Sequence, residues 1–103
     1  MLSDARMSPA PGRPAASTAQ SFLVEHYGPG ITADAFRAAM ARVRASAAAM
    51  RRDGSPIRCV HATLVPEDEA MLSVIDAASS ELVEQLFARA GVRVDRIVKA
   101  LAQ

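Results

Sequence analysis

The sequence predicts an α+β fold in which two helices cover one face of a small antiparallel sheet. Three observations predict it. Short runs rich in strand-forming residues alternate with two longer runs whose apolar residues recur at helical spacing. The order of these runs is strand, helix, strand, strand, helix and a last β-branched segment, which is the split β-α-β arrangement. The chain has 103 residues, of which 50% are hydrophobic, enough for one small domain with a core but not for two.

The first run, Ser21 to Tyr27, reads SFLVEHY and stops at Gly28-Pro29-Gly30, a strand followed by a turn. Side chains alternate between sheet faces, so Phe22, Val24 and His26 share one face and Leu23, Glu25 and Tyr27 the other. Thr32 then supplies an N-cap hydroxyl, and Asp34 puts a carboxylate in the first helical turn. Phe36, Met40, Val43, Ala47 and Met50 follow at steps of four and three, one apolar stripe along a helix. Arg51 and Arg52 suit its C-terminal end, Gly54 its reversal, and Pro56 prevents continuation.

Ile57 to Val65, IRCVHATLV, is a second strand, and Ala70 to Asp76 a third. Pro66-Glu67-Asp68-Glu69 joins them as a polar hairpin turn. Ser79 or Ser80 caps a second helix that buries Leu82, Val83, Leu86, Phe87 and Ala90 and ends at Gly91. Val92 to Gln103 has helical spacing at Val94, Ile97, Val98 and Leu101 but is also β-branched, so helix and strand both remain open. If it is a strand, the order is β-α-β-β-α-β, the ferredoxin-like sandwich, with one sheet face left open. Residues 1–20 differ in kind. They hold Pro9, Pro11, Gly12 and Pro14 with few large apolar residues, a composition that predicts a disordered N-terminal tail ahead of a domain at 21–103. A signal peptide would need an apolar core that this stretch lacks, and Asp4 and Arg13 interrupt it.

Composition narrows the function. The net charge is +1 and only 4% of residues are aromatic, with no Trp, which argues against nucleic acid as a partner. No apolar run is long enough for a membrane span. One cysteine, Cys59, excludes an internal disulfide framework and fits a reducing, cytoplasmic compartment. Alanine is the commonest residue. It buries little area per residue, so a lone domain is only marginally stable and a homodimer through the open sheet face is expected.

Histidines are the first chemical candidates. His26 ends a strand beside Glu25, and imidazole is the commonest protein ligand for borderline metals. His61 lies mid-strand, two residues from Cys59 and therefore on the same face, where a thiolate and an imidazole could serve one ion. A closed zinc site needs four ligands with paired spacing, and one Cys with two His does not supply it. Glu67, Asp68 and Glu69 could act on a hard cation or as acid and base, though a solvated turn explains them as well. Arg37, Arg44 and Arg51 recur every seven residues, which reads as a solvated helix face. Gly28-Pro29-Gly30 is no phosphate loop, because Pro29 removes a donor N–H.

FLVEHYGPGIT, the VPEDE hairpin with its flanking strands, and AGVRVDRIVKA together resemble a bacterial domain-of-unknown-function family with a nickel-binding branch. The likeness runs from about Ser21 to Leu101, nearly the whole domain. It implies a dimeric ferredoxin-like subunit of the α/β-barrel type with a last strand near Asp95 to Leu101. It also implies that His26 matches a first-strand metal ligand. The branch carries further ligands around the third strand and second helix, where this chain reads Met71-Leu72-Ser73-Val74 and Gln85-Leu86-Phe87-Ala88.

The resulting expectation is a small cytoplasmic homodimeric binding protein with a transition-metal site, nickel foremost, on His26 with Glu25 or His61 as auxiliary ligands. No organic cofactor is expected. Two alternatives stand beside it. One is a cofactor-free monooxygenase-like enzyme or small-ligand binder of the dimeric α/β-barrel type, using His26, Tyr27 and Glu69 near a pocket between helices and sheet. The other is an interaction module acting through its dimer or its arginine stripe.

Overall fold

The structure, a computed structural model, describes residues 19–101, so the predicted tail lies almost wholly outside the described residues. Strand β1 (Gln20–Tyr27) leads into helix α1 (Ala33–Arg52). Strand β2 (Arg58–Val65), a single 3-10 turn (Pro66–Asp68) and strand β3 (Ala70–Ala77) make the hairpin. Helix α2 (Ser80–Ala90) and strand β4 (Arg96–Ala100) complete the order. The last segment is thus a strand, and Gln20 joins β1 opposite Ala77, one residue earlier than expected.

The sheet runs β2-β3-β1-β4 with every neighbouring pair antiparallel, the ferredoxin-like topology. Both helices lie on one face. Phe22, Val24, Met71, Ile75 and Ala77 point from the sheet into the core, where they meet Met40, Val43, Ala47 and Met50 of α1 and Val83, Leu86, Phe87 and Ala90 of α2. The stripe read from α1 is the buried one, with Phe36 packed at its margin.

The helices end where the sequence says they should. Thr32 Oγ1 accepts the Ala35 N–H at 3.0 Å, and Ser79 Oγ, rather than that of Ser80, accepts the Leu82 N–H at 3.4 Å. Gly91 takes the left-handed conformation, φ 71°, that terminates α2, and Arg42 Nε donates to the Ala90 carbonyl at 3.0 Å from the neighbouring helix.

One expectation fails. Cys59 pairs with Ile75 and His61 with Val74, adjacent residues on β3, so a β-bulge at Val60 intervenes. The extra residue shifts the alternation by one. Cys59 therefore packs toward the helices while His61 faces the opposite side, and the two cannot offer ligands to one ion from a shared face.

Candidate functional site

The chemistry concentrates at the C-terminal end of β1, where the segment between α2 and β4 folds over the strand end. Beyond Glu25, β1 has no ladder partner in β4, and Arg93 and Asp95 take over. Asp95 N–H donates to the Glu25 carbonyl at 2.9 Å, and the Tyr27 N–H donates to Asp95 Oδ2 at 2.7 Å. The Arg93 guanidinium bridges the Tyr27 carbonyl (2.6 Å) and Asp95 Oδ1 (2.5 Å). The Tyr27 N–H, more than any other group, holds the Asp95 carboxyl below the usual range, with the Arg93 guanidinium acting the same way and desolvation opposing.

His26 sits on the helix side of this clamp, half-buried. Its Nδ1 lies 2.6 Å from the Arg93 carbonyl oxygen. A carbonyl only accepts, so Nδ1 carries the proton in this bond, and in the neutral imidazole the lone pair is then on Nε2. Gly28 lies beside Nε2, where a Cβ on that residue would stand 3.5 Å from the nitrogen.

Glu25 points to the other face of the sheet, because adjacent strand residues alternate. The residue is only 7% exposed, yet it lies on the face no helix covers. Tyr27 Oη donates to its Oε1 at 2.5 Å, and the Arg96 guanidinium approaches Oε2 at 3.7 Å, an ion pair too long for a hydrogen bond. The bond to Glu25 pushes the Tyr27 phenol above its ordinary value, desolvation adding to it.

The three residues singled out as ligands are therefore not assembled within one chain. His26 faces the helices and Glu25 the open side. His61 also lies on the open side, on edge strand β2 with β3 between it and β1, and its Nε2 is 2.8 Å from Thr63 Oγ1. Among the described residues no cluster of three or more His, Cys, Asp or Glu side chains is poised to hold a metal ion.

The remaining candidates have local roles. Glu69, expected in a solvated turn, adopts φ 50° and ties the hairpin to the β1–α1 loop. Its carbonyl accepts the Gly28 N–H at 3.0 Å and its Oε2 the Gly30 N–H at 3.1 Å. Arg37 pairs with Asp34, and Arg51 donates to the Ile57 carbonyl at 2.8 Å, so two of the three striped arginines serve their own helix or its exit. The space between helices and sheet, where the enzyme reading needs its pocket, is filled by Met40 and Phe87 with Phe36 beside them. A groove of about 490 Å³ lies elsewhere, between Ser80, Glu84 and Ala88 of α2 and the start of β4.

Sequence reasoning passed over Arg93 and Asp95. Their signal was present in the AGVRVDR stretch, where a basic and an acidic residue two apart precede a strand. Only the pairing of that stretch with the end of β1 gives them a role.

No protein-family profile matches the chain, and no curated protein matches its sequence. A solved structure does. The crystal structure of SCO4226 from Streptomyces coelicolor A3(2) superposes with a TM-score of 0.66 at 24% sequence identity, covering 81% of this chain and 98% of that one. The molecule is thus a ferredoxin-like α+β domain similar in fold to that Streptomyces protein. No helix among the described residues is long and apolar enough to cross a membrane.

Proposed function

We propose that this is a small homodimeric, cytoplasmic binding protein that takes a borderline transition-metal ion, nickel foremost, with His26 Nε2 as the principal ligand. The resemblance to a family with a nickel-binding branch motivates the choice of metal. One observation carries the choice of residue. The Nδ1–H bond to the Arg93 carbonyl selects the tautomer in which Nε2 is free, the second-sphere arrangement that metal-bound histidines use. The Asp95 carboxylate, in the same clamp at the end of β1, supplies a negative charge near a bound cation.

The donor set within one chain amounts to a single imidazole. Glu25 and His61, on the far side of the sheet, stay outside its coordination sphere, and further ligands come from solvent or from a second copy. Calorimetric titration of nickel into untagged protein tests this. Saturable binding that His26→Ala abolishes and His61→Ala leaves intact is expected. Equal binding by wild type and His26→Ala, or none by wild type, overturns the reading.

The homodimer reading has its own support in the open face. Leu23, Leu72, Val74 and Val98 form an apolar patch across the three strands β4, β1 and β3, with no helix over it. A sheet face of this kind is ordinarily covered.

A further inference from the structure

We infer that Glu25 anchors the contact between two copies of this chain across the open sheet face, its Oε2 taking a hydrogen bond from Arg58 of the second copy. This rests on the homodimer reading above and adds the pair of residues that sets its register.

The strand pairing lays the open face out as a grid. One row runs Ala100, Ser21, Asp76, Arg58 from β4 to β2, the next Val98, Leu23, Val74, His61, and the third Arg96, Glu25, Leu72, Thr63. The middle is apolar. At each of two diagonally opposite corners a guanidinium on an edge strand stands beside a carboxylate on an inner strand: Arg96 with Glu25, and Arg58 with Asp76. The four charges sum to zero, so the face offers nothing in particular to a nucleic acid or an acidic peptide. A second copy presents the same balanced pattern, and a twofold contact lets each pair meet its counterpart twice.

Glu25 supplies the independent observation. A carboxylate this deeply buried needs both oxygens satisfied. Oε1 has the Tyr27 hydroxyl, but among the described residues Oε2 has only the distant Arg96 charge. Arg58 is exposed, and no hydrogen bond or ion pair from its guanidinium is found among the described residues.

The spacing of the grid allows the two to meet. With strands about 4.8 Å apart and residues about 3.4 Å along them, Glu25 lies roughly 7 Å from the centre between Leu23 and Val74 along the strands. Arg58, at a corner of the grid, lies roughly 7 Å from the same centre across the strands and roughly 7 Å along them in the opposite direction to Glu25. Two sheets packed orthogonally about a twofold axis exchange these directions and, in projection, set the Arg58 position of the other copy roughly 5 Å from Glu25, across an inter-sheet gap of roughly 10 Å that the carboxylate and guanidinium side chains span together. The same crossing sets Asp76 near Arg96 of the second copy, so each of the two charged corners gathers two carboxylates and two guanidiniums.

Sedimentation equilibrium on the full chain tests the inference, with melting curves confirming that each variant folds. Wild type runs as a dimer, Leu72→Arg as a monomer, and Arg89→Glu on the helix side as a dimer. Glu25→Gln and Arg58→Gln each raise the dimer dissociation constant roughly tenfold or more, and the double variant is no weaker than the worse single one. Arg58 is exposed, so its variant reports even if the Glu25 substitution unfolds the chain. A wild-type monomer, or a dimer that Leu72→Arg leaves intact, overturns the homodimer reading and the anchor together. A dimer that Leu72→Arg breaks, but in which the Glu25 and Arg58 effects are absent or simply add, overturns the anchor alone.

Discussion

Asp95 shows how much one short side chain can organise. Its carboxylate receives the Tyr27 N–H and the Arg93 guanidinium, so the loop before β4 closes the end of β1 where no ladder remains. Both contacts favour the ionised form, and the folded-state pKa is accordingly lowered. A lowered carboxylate pKa stabilises the fold above the unfolded-state value, and that stability is lost as pH falls through the folded one. Urea midpoints of wild type and Asp95→Asn should therefore differ at pH 6, begin to approach each other as the pH falls below about 4, the ordinary Asp value, and converge only below the lowered folded-state value. The Cys59 thiol is shifted upward, chiefly by burial, with the Arg44 charge opposing. It is therefore a packing group rather than a reactive one.

At the scale of the element, most of the chain follows local rules. The stripe on α1, the Thr32 cap and the Gly91 terminus need no knowledge of the fold, because 3.6-residue periodicity and end-group hydrogen bonding act within one segment. Thr32→Ala should cost about 1 kcal/mol, read from a denaturation midpoint, and Thr32→Ser should recover most of it. The bulge in β2 is different. Nothing in IRCVHATLV marks Val60 as the extra residue, since the insertion is defined only by the pairing with β3. It leaves Val60 exposed on an edge strand, where a twist in the backbone also discourages pairing with another chain. This one residue decides that Cys59 and His61 part company. Glu69 teaches the same lesson, because its two acceptor bonds reach a loop 39 and 41 residues away in sequence.

The whole molecule is thrifty. Its core relies on methionine, valine and alanine from α1, and its two buried phenylalanines are Phe22 and Phe87. Small domains bury a lower fraction of their surface and hold a narrow stability margin. Leu86 is fully buried between helix and sheet. Leu86→Ala should cost roughly 2–5 kcal/mol, and far-ultraviolet circular dichroism at 37 °C should show a substantial unfolded fraction. If the open face is closed by a second copy, the urea midpoint should also rise with protein concentration, since dissociation accompanies unfolding.

The sequence by itself determined the element order, the helix ends and the face of each β1 side chain, because periodicity, capping and alternation are local. The ambiguity of the last segment and the parity of β2 belonged to tertiary structure, which alone specifies partners. The site divides along the same line. His26 and Glu25 were legible as polar residues at a strand end, and their alternation already put them on opposite faces. That Arg93 and Asp95 would clamp that end, freeing one imidazole nitrogen and leaving Glu25 buried on an uncovered face, follows from contacts about 70 residues apart, which no local rule reaches.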